Sequence, residues 1–282
     1  MSNPLQEIMC CLGQSHAGNP TQYVMEKSFR AAGLDGRFIT LEVAAEDLAN
    51  AVLGLRAMKF RGASVAGPFR RQILGMLDRC SEDAERIGGV NCVSRGADGQ
   101  LIGENTEGRG FCTALAKCFD VAGKNIVILG AGLSARAIAV ELALTGAGEI
   151  TVVNRTADRG QQLADLLSET MKVSAMFFPW TGDFELAPET DLLINATNLG
   201  ESPASQMVPI SLESLQPSVM VADVVFEFPR TPFSCAVEDV GCSVIDGQGM
   251  LVEQLAQCFQ IWTGLEPDRG VMREALEEFL GL

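Results

Sequence analysis

The run NIVILGAGLSARAIAV (125–140) sets two glycines one residue apart, between a string of aliphatics and a helix-forming stretch. Glycine costs backbone entropy in regular structure, so a pair at this junction marks a sharp turn, a close packing contact, or the approach of something from outside the chain. NIVIL is an apolar run of the kind buried on both faces of a parallel sheet. Gly130, Ala131, Gly132, Leu133, Ser134 and Ala135 follow it as G-x-G-x-x-G/A, with alanine in the third position. In that pattern Gly130 makes the turn, Gly132 lets a pyrophosphate approach the backbone, and Ala135 lets helix and strand pack closely. The phosphates of a dinucleotide then meet unpaired N–H groups at the positive end of a helix.

The strand after that helix selects the dinucleotide. An NAD site usually carries Asp or Glu there for the ribose 2′-hydroxyl, whereas this chain reads VVNRTADRG. Asn154, Arg155 and Thr156 stand at the strand end with Arg159 one turn on, so two guanidiniums are placed to neutralise a 2′-phosphate. NADP(H) is expected, with NAD left open because Asp158 lies in reach of the same point. Ordinary surface arginines at a solvated strand end are the plainer reading.

The rest of the chain alternates strand and helix, the pattern of a parallel sheet covered by helices on both faces. Strands are predicted at 8–13, 37–43 and 63–67, helices at 22–32 and 45–58, and a hairpin over 90–105. Helices over 107–119, 134–145 and 157–170 follow, with strands in EITVVN, VSAMFF, DLLINAT, VMVADVVF and CSVID. The last 34 residues read as helical, with Met250, Leu251, Leu255, Cys258, Phe259 and Trp262 on one stripe. The fold class expected is two α/β domains with a cleft between them, the second a doubly wound parallel-sheet (Rossmann) dinucleotide-binding domain.

Composition narrows the class. A net charge of −15 over 282 residues argues against nucleic acid as a partner, since phosphate binding needs a basic face. The start, MSNPLQEIMCCLG, lacks the basic lead and apolar core of a secretory signal, and Arg136 and Glu141 break the longest apolar stretch, so a cytoplasmic location is expected. Nine scattered cysteines with no C-x-x-C pair read as reduced, buried thiols, and one histidine, His16, excludes His-rich metal sites, so no metal is expected. A homodimer is the base-rate expectation.

GAGLSARA, VVNRTADR, LLINATNLG (192–200) and VIDGQGMLVEQ (244–254) together resemble the shikimate/quinate dehydrogenase family, as do FRGASVAGPFRR, AERIGGVNCV and LIGENTEGRGF upstream. The resemblance implies a substrate-binding domain over 1–107, completed by C-terminal helices within 249–282, and an NADP-binding domain over 108–248. It implies hydride transfer between nicotinamide and a ring carbonyl or hydroxyl. It adds Thr197, Val224, Gly247 and Met250 to the cofactor-binding set.

The substrate half departs from the family pattern. Where the family has a carboxylate-binding S-x-S-P loop, this chain has Ala17-Gly18-Asn19-Pro20, leaving Asn19 and the adjoining Thr21 as donors of different reach. The family's Asn-Val-Thr becomes Ser64-Val65-Ala66, and its pocket tyrosine becomes Phe226, while Asn91 and Gln254 keep their identity. The family's lysine is replaced by Arg70 and its aspartate by Glu107. Neutralising an unperturbed lysine at pH 7 costs ~4.6 kcal/mol, which burial can offset, whereas arginine costs at least ~7.5 kcal/mol. Arg70 therefore cannot shuttle a proton, though it can hold a developing alkoxide. Glu107 can act as a base or simply favour the start of its helix. His16 is a further acid/base candidate. The expected activity is NADP-dependent oxidation or reduction of shikimate, quinate or a related cyclic polyol acid through an altered pocket. The alternative is a non-catalytic NADP(H)-binding sensor or accessory protein.

Overall fold

A computed structural model describes residues 7–14, 18–200, 207–226 and 230–282. His16 and Ala17 lie outside the described residues. The chain divides into two units, Met1–Thr106 with Val252–Leu282, and Glu107–Leu251.

In the first unit the elements run β1 (Glu7–Gly13), α1 (Thr21–Ala31), β2 (Gly36–Glu42), α2 (Leu48–Ala57), β3 (Gly62–Val65), α3 (Phe69–Gln72), β4 (Arg79–Cys80), α4 (Glu82–Ile87), β5 (Cys92–Arg95) and β6 (Leu101–Glu104). The sheet order is β2-β1-β3-β5-β6-β4. β1 pairs in parallel with both β2 and β3, so the chain moves to one side of β1 and then to the other. Their carboxyl ends therefore form a switch point, where α/β sheets leave a crevice. The predicted hairpin is β5 antiparallel to β6.

The second unit contains α5 (Glu107–Leu115), β7 (Asn125–Leu129), α6 (Leu133–Leu144), β8 (Glu149–Asn154), α7 (Ala157–Asp165), β9 (Ser174–Pro179), β10 (Leu192–Asn195), β11 (Met220–Asp223), α8 (Pro232–Val240) and β12 (Ser243–Ile245). The sheet runs β12-β11-β10-β7-β8-β9 with every pairing parallel. Numbered within the unit this is the 3-2-1-4-5-6 order of a dinucleotide-binding sheet, with its switch point between β7 and β10. Ile126, Ile128, Ile138, Leu142, Ile150, Val152 and Ile194 fill the core on one face.

Two helices close the chain, α9 (Gly247–Thr263) and α10 (Arg269–Leu280). The helical pattern of the last 34 residues is broken between them: Gly264 takes φ +73°, and the Asp268 carboxylate accepts the Gly270 and Val271 amides to start α10 afresh. Met250 packs in the second unit's core, while Phe259 and Trp262 stack against Phe29 and Phe38 of the first. Glu107 and residues 249–251 fall in the second unit, whereas the bounds that the family resemblance implies give them to the first. The helix expected over 157–170 stops at Asp165 and widens into one π turn at Leu166–Thr170.

Candidate functional site

The turn after β7 is shaped by its glycines. Gly130 has φ +112°, and a Cβ there would stand 2.9 Å from the Ala196 carbonyl oxygen at the end of β10. Gly132 differs: a Cβ there would meet nothing within 4 Å, so no protein contact requires the glycine and open space lies over it. Gly132 is also the N-cap of α6 and supplies no capping side chain, which leaves the first-turn amides to an anion. Ala135 is fully buried against the sheet. These features fit a pyrophosphate at the turn.

At the end of β8, Arg155, Thr156 and Arg159 are exposed, and the Asn154 side chain bonds the Thr156 carbonyl at 2.8 Å. Neither arginine takes part in an ion pair among the described residues, so both guanidiniums remain available to a phosphate.

Across the switch point, Asp223 ends β11 buried in a polar knot. It accepts from Thr231 Oγ1 at 2.6 Å, Asn195 Nδ2 at 3.0 Å and the Val225 amide at 3.3 Å. Thr197 Oγ1 donates to Asn195 Oδ1 at 2.7 Å, so its hydroxyl shapes the loop after β10. Gly247 opens α9 so close to β11 that a Cβ would lie 2.4 Å from the Val224 carbonyl oxygen. Phe226 is half-buried just beyond, and Met250, also assigned to the cofactor, is a buried core residue.

Glu107, the first residue of α5, is only 4% exposed. Ser134 Oγ donates to its Oε1 at 3.3 Å. In the first unit, Arg70 Nε donates to the Val65 carbonyl at the end of β3, 3.0 Å away. Asn91 is buried and pinned by Thr106, whose amide it accepts at 2.8 Å and whose hydroxyl it donates to at 3.0 Å. Gln254 is half-buried on α9.

Asn19 is engaged on both sides of its amide. Its Oδ1 accepts the Thr21 N–H at 2.7 Å and its Nδ2 donates to Cys11 Sγ at 3.4 Å. Burial pushes the Cys11 thiol above its ordinary range, while Ser64, Asn19 and the Arg70 guanidinium pull the other way. Three sequence candidates, Asn19, Ser64 and Arg70, therefore gather around Cys11 at the carboxyl ends of β1 and β3, and Thr21 is bonded to Asn19 through its amide. Cys11, Thr106 and Cys258, which lies 3.4 Å from Thr106 Oγ1, were not among the candidates. The register could have found Cys11, since it pairs directly with Ser64.

Three family models match in order: the shikimate dehydrogenase substrate-binding domain over residues 17–93, shikimate/quinate 5-dehydrogenase over 113–221, and the shikimate 5′-dehydrogenase C-terminal domain over 247–277. A shikimate dehydrogenase (NADP(+)) of Alkaliphilus metalliredigens is 36% identical over 254 residues, covering 88% of each chain. The chain belongs to the shikimate dehydrogenase family. Among solved structures, the 5-ketofructose reductase of a Gluconobacter species superposes with a TM-score of 0.93 at 40% identity, covering 98% of this chain and 99% of that one. The family's shikimate 5-dehydrogenase from Thermus thermophilus, in complex with NADP(H) and shikimate, gives 0.85 at 31% identity, covering 97% and 100%.

Proposed function

We propose that the protein is an NADP-dependent oxidoreductase interconverting a ketone and a secondary alcohol on a neutral, polyhydroxylated substrate. The observation that carries the substrate class is Asn19. At the family's carboxylate-binding loop this chain offers no serine hydroxyl at position 17, and its Asn19 amide is already bonded to Thr21 and Cys11. What remains around Cys11 and Thr106 are hydroxyls, amides and one guanidinium, which suit sugar-like hydroxyls. The 40% identity to a 5-ketofructose reductase supports the same class. A carboxylated ring such as shikimate or quinate is the second reading, favoured by the curated relatives, which are shikimate dehydrogenases.

When bound, NADP supplies or takes up hydride at its nicotinamide ring. Backbone amides of Gly130, Ala131, Gly132, Leu133, Ser134 and Ala135 would hold its pyrophosphate. Asn154, Arg155, Thr156 and Arg159 would hold the phosphorylated ribose, and Thr197, Val224, Gly247 and Met250 would shape the nicotinamide end. Asn19, Thr21, Ser64, Asn91, Phe226 and Gln254 would orient the substrate. Arg70 holds negative charge developing on the substrate oxygen, and Glu107 carries the proton. A mixed acid/base role for Arg70 is excluded by the cost of deprotonating a guanidinium.

A kinetic panel following NADPH absorbance tests this reading. Turnover of 5-ketofructose is expected, with kcat/KM at least ~10-fold above that for shikimate or quinate. Preference for shikimate would select the second reading, and silence on all three would leave a nucleotide-binding protein without this activity.

A further inference from the structure

Ser134 sits in the glycine turn, where its hydroxyl could serve a phosphate, yet the structure directs it elsewhere. The face of α6 carrying Ser134, Ala137 and Glu141 lies along the start of α5. Gly108 marks how close the two helices come, because a Cβ there would stand 2.1 Å from the Ala137 carbonyl oxygen and 3.0 Å from Glu141 Cβ. That approach holds Glu107 beside the first turn of α6, where Ser134 Oγ donates to its carboxylate. A serine has one O–H to give, so a proton committed to Glu107 is not available to a phosphate oxygen. The first-turn amides, by contrast, point out of the helix end and need no side chain.

We infer that Ser134 is a positioning residue for Glu107, so that one turn of α6 holds the dinucleotide through its backbone and the proton-carrying carboxylate through its side chain. The inference rests on the role given to Glu107 above. It also separates two duties that the glycine motif alone would assign to one ligand. Cofactor affinity belongs to the amides of Leu133, Ser134 and Ala135, and turnover depends on the hydroxyl.

The test is a double-mutant cycle of Ser134→Ala and Glu107→Gln, with Ser134→Thr as the conservative variant. Each is assayed for kcat, KM for NADPH and NADPH affinity by fluorescence titration, with thermal unfolding to confirm folding. Ser134→Ala is expected to lower kcat about tenfold with NADPH affinity within about twofold, and Ser134→Thr to restore it. In the Glu107→Gln background, Ser134→Ala should have no further effect. A tenfold loss of NADPH affinity with kcat intact would overturn the inference by giving the hydroxyl to the phosphate. So would additive losses across the cycle, or a normal Ser134→Ala enzyme beside a slow Glu107→Gln one. If Glu107→Gln itself turns over normally, the proton-carrying role of Glu107 fails, and the inference with it.

Discussion

Asp223 ties together the ends of two strands and the start of a helix, since its carboxylate accepts from Asn195 at the end of β10, from Val225 after β11 and from Thr231 at the cap of α8. Burial raises this carboxyl above its ordinary value of 3.8, against the pull of Thr231, Val225 and Asn195. The folded chain thus holds the proton more tightly than the unfolded one. Its contribution to stability is full below the ordinary value and is lost as pH rises through the raised one. Urea unfolding at a series of pH values should show the stability of the protein, relative to Asp223→Asn, falling across that window; a relative stability that rises with pH would contradict the assignment. Local geometry was legible in the sequence where a motif carries it, as with the turn at Gly130, φ +112°, and the close packing of Ala135. Asp223 was not, because Asn195, 28 residues away, reaches it only through the pairing of β10 with β11. Cys11 was read as a small buried hydrophobe, which its burial bears out, but its bond to Asn19 depends on how the loop after β1 returns.

Between elements, α5 lies so close on α6 that their contact requires Gly108. Placing a methyl group 2.1 Å from a backbone oxygen forces the helices apart. Gly108→Ala is expected to cost about 1–3 kcal/mol in chemical denaturation and to lower kcat by displacing Glu107. Unchanged stability would show that α5 moves freely on α6. Most elements were legible from period and composition, to within a few residues at their ends. α8 was missed although its punctuation is present: Thr231 caps the Ser234 amide, Pro232 opens the helix, and Gly241 closes it at φ +102°. Its nine residues do set Phe233 and Val237 one turn apart and buried, but that stripe is about two turns long, a weak signal beside the longer runs of α6 and α9.

For the whole molecule, the all-parallel second sheet and its switch point follow from the alternation of apolar runs and helices, which is why the nucleotide half could be read from the chain. The first unit was harder, because its mixed sheet and the return of α9 depend on contacts far apart in sequence. Trp262 alone shows this, donating through Nε1 to the Val93 carbonyl at 2.9 Å across 169 residues. Family membership transfers the architecture, while the substrate class proposed above turns on a few side chains around Cys11. Everything rests on a phosphorylated dinucleotide docking at the β7–α6 turn with its 2′-phosphate on Arg155 and Arg159. Isothermal titration of the protein and of its Arg155→Ala, Arg159→Ala double variant with NADPH and NADH tests that most directly. The intact protein should bind NADPH at least ~10-fold more tightly than NADH, and the double variant should lose the preference. No heat with either nucleotide at saturation, or a preference that survives the double substitution, would contradict the account.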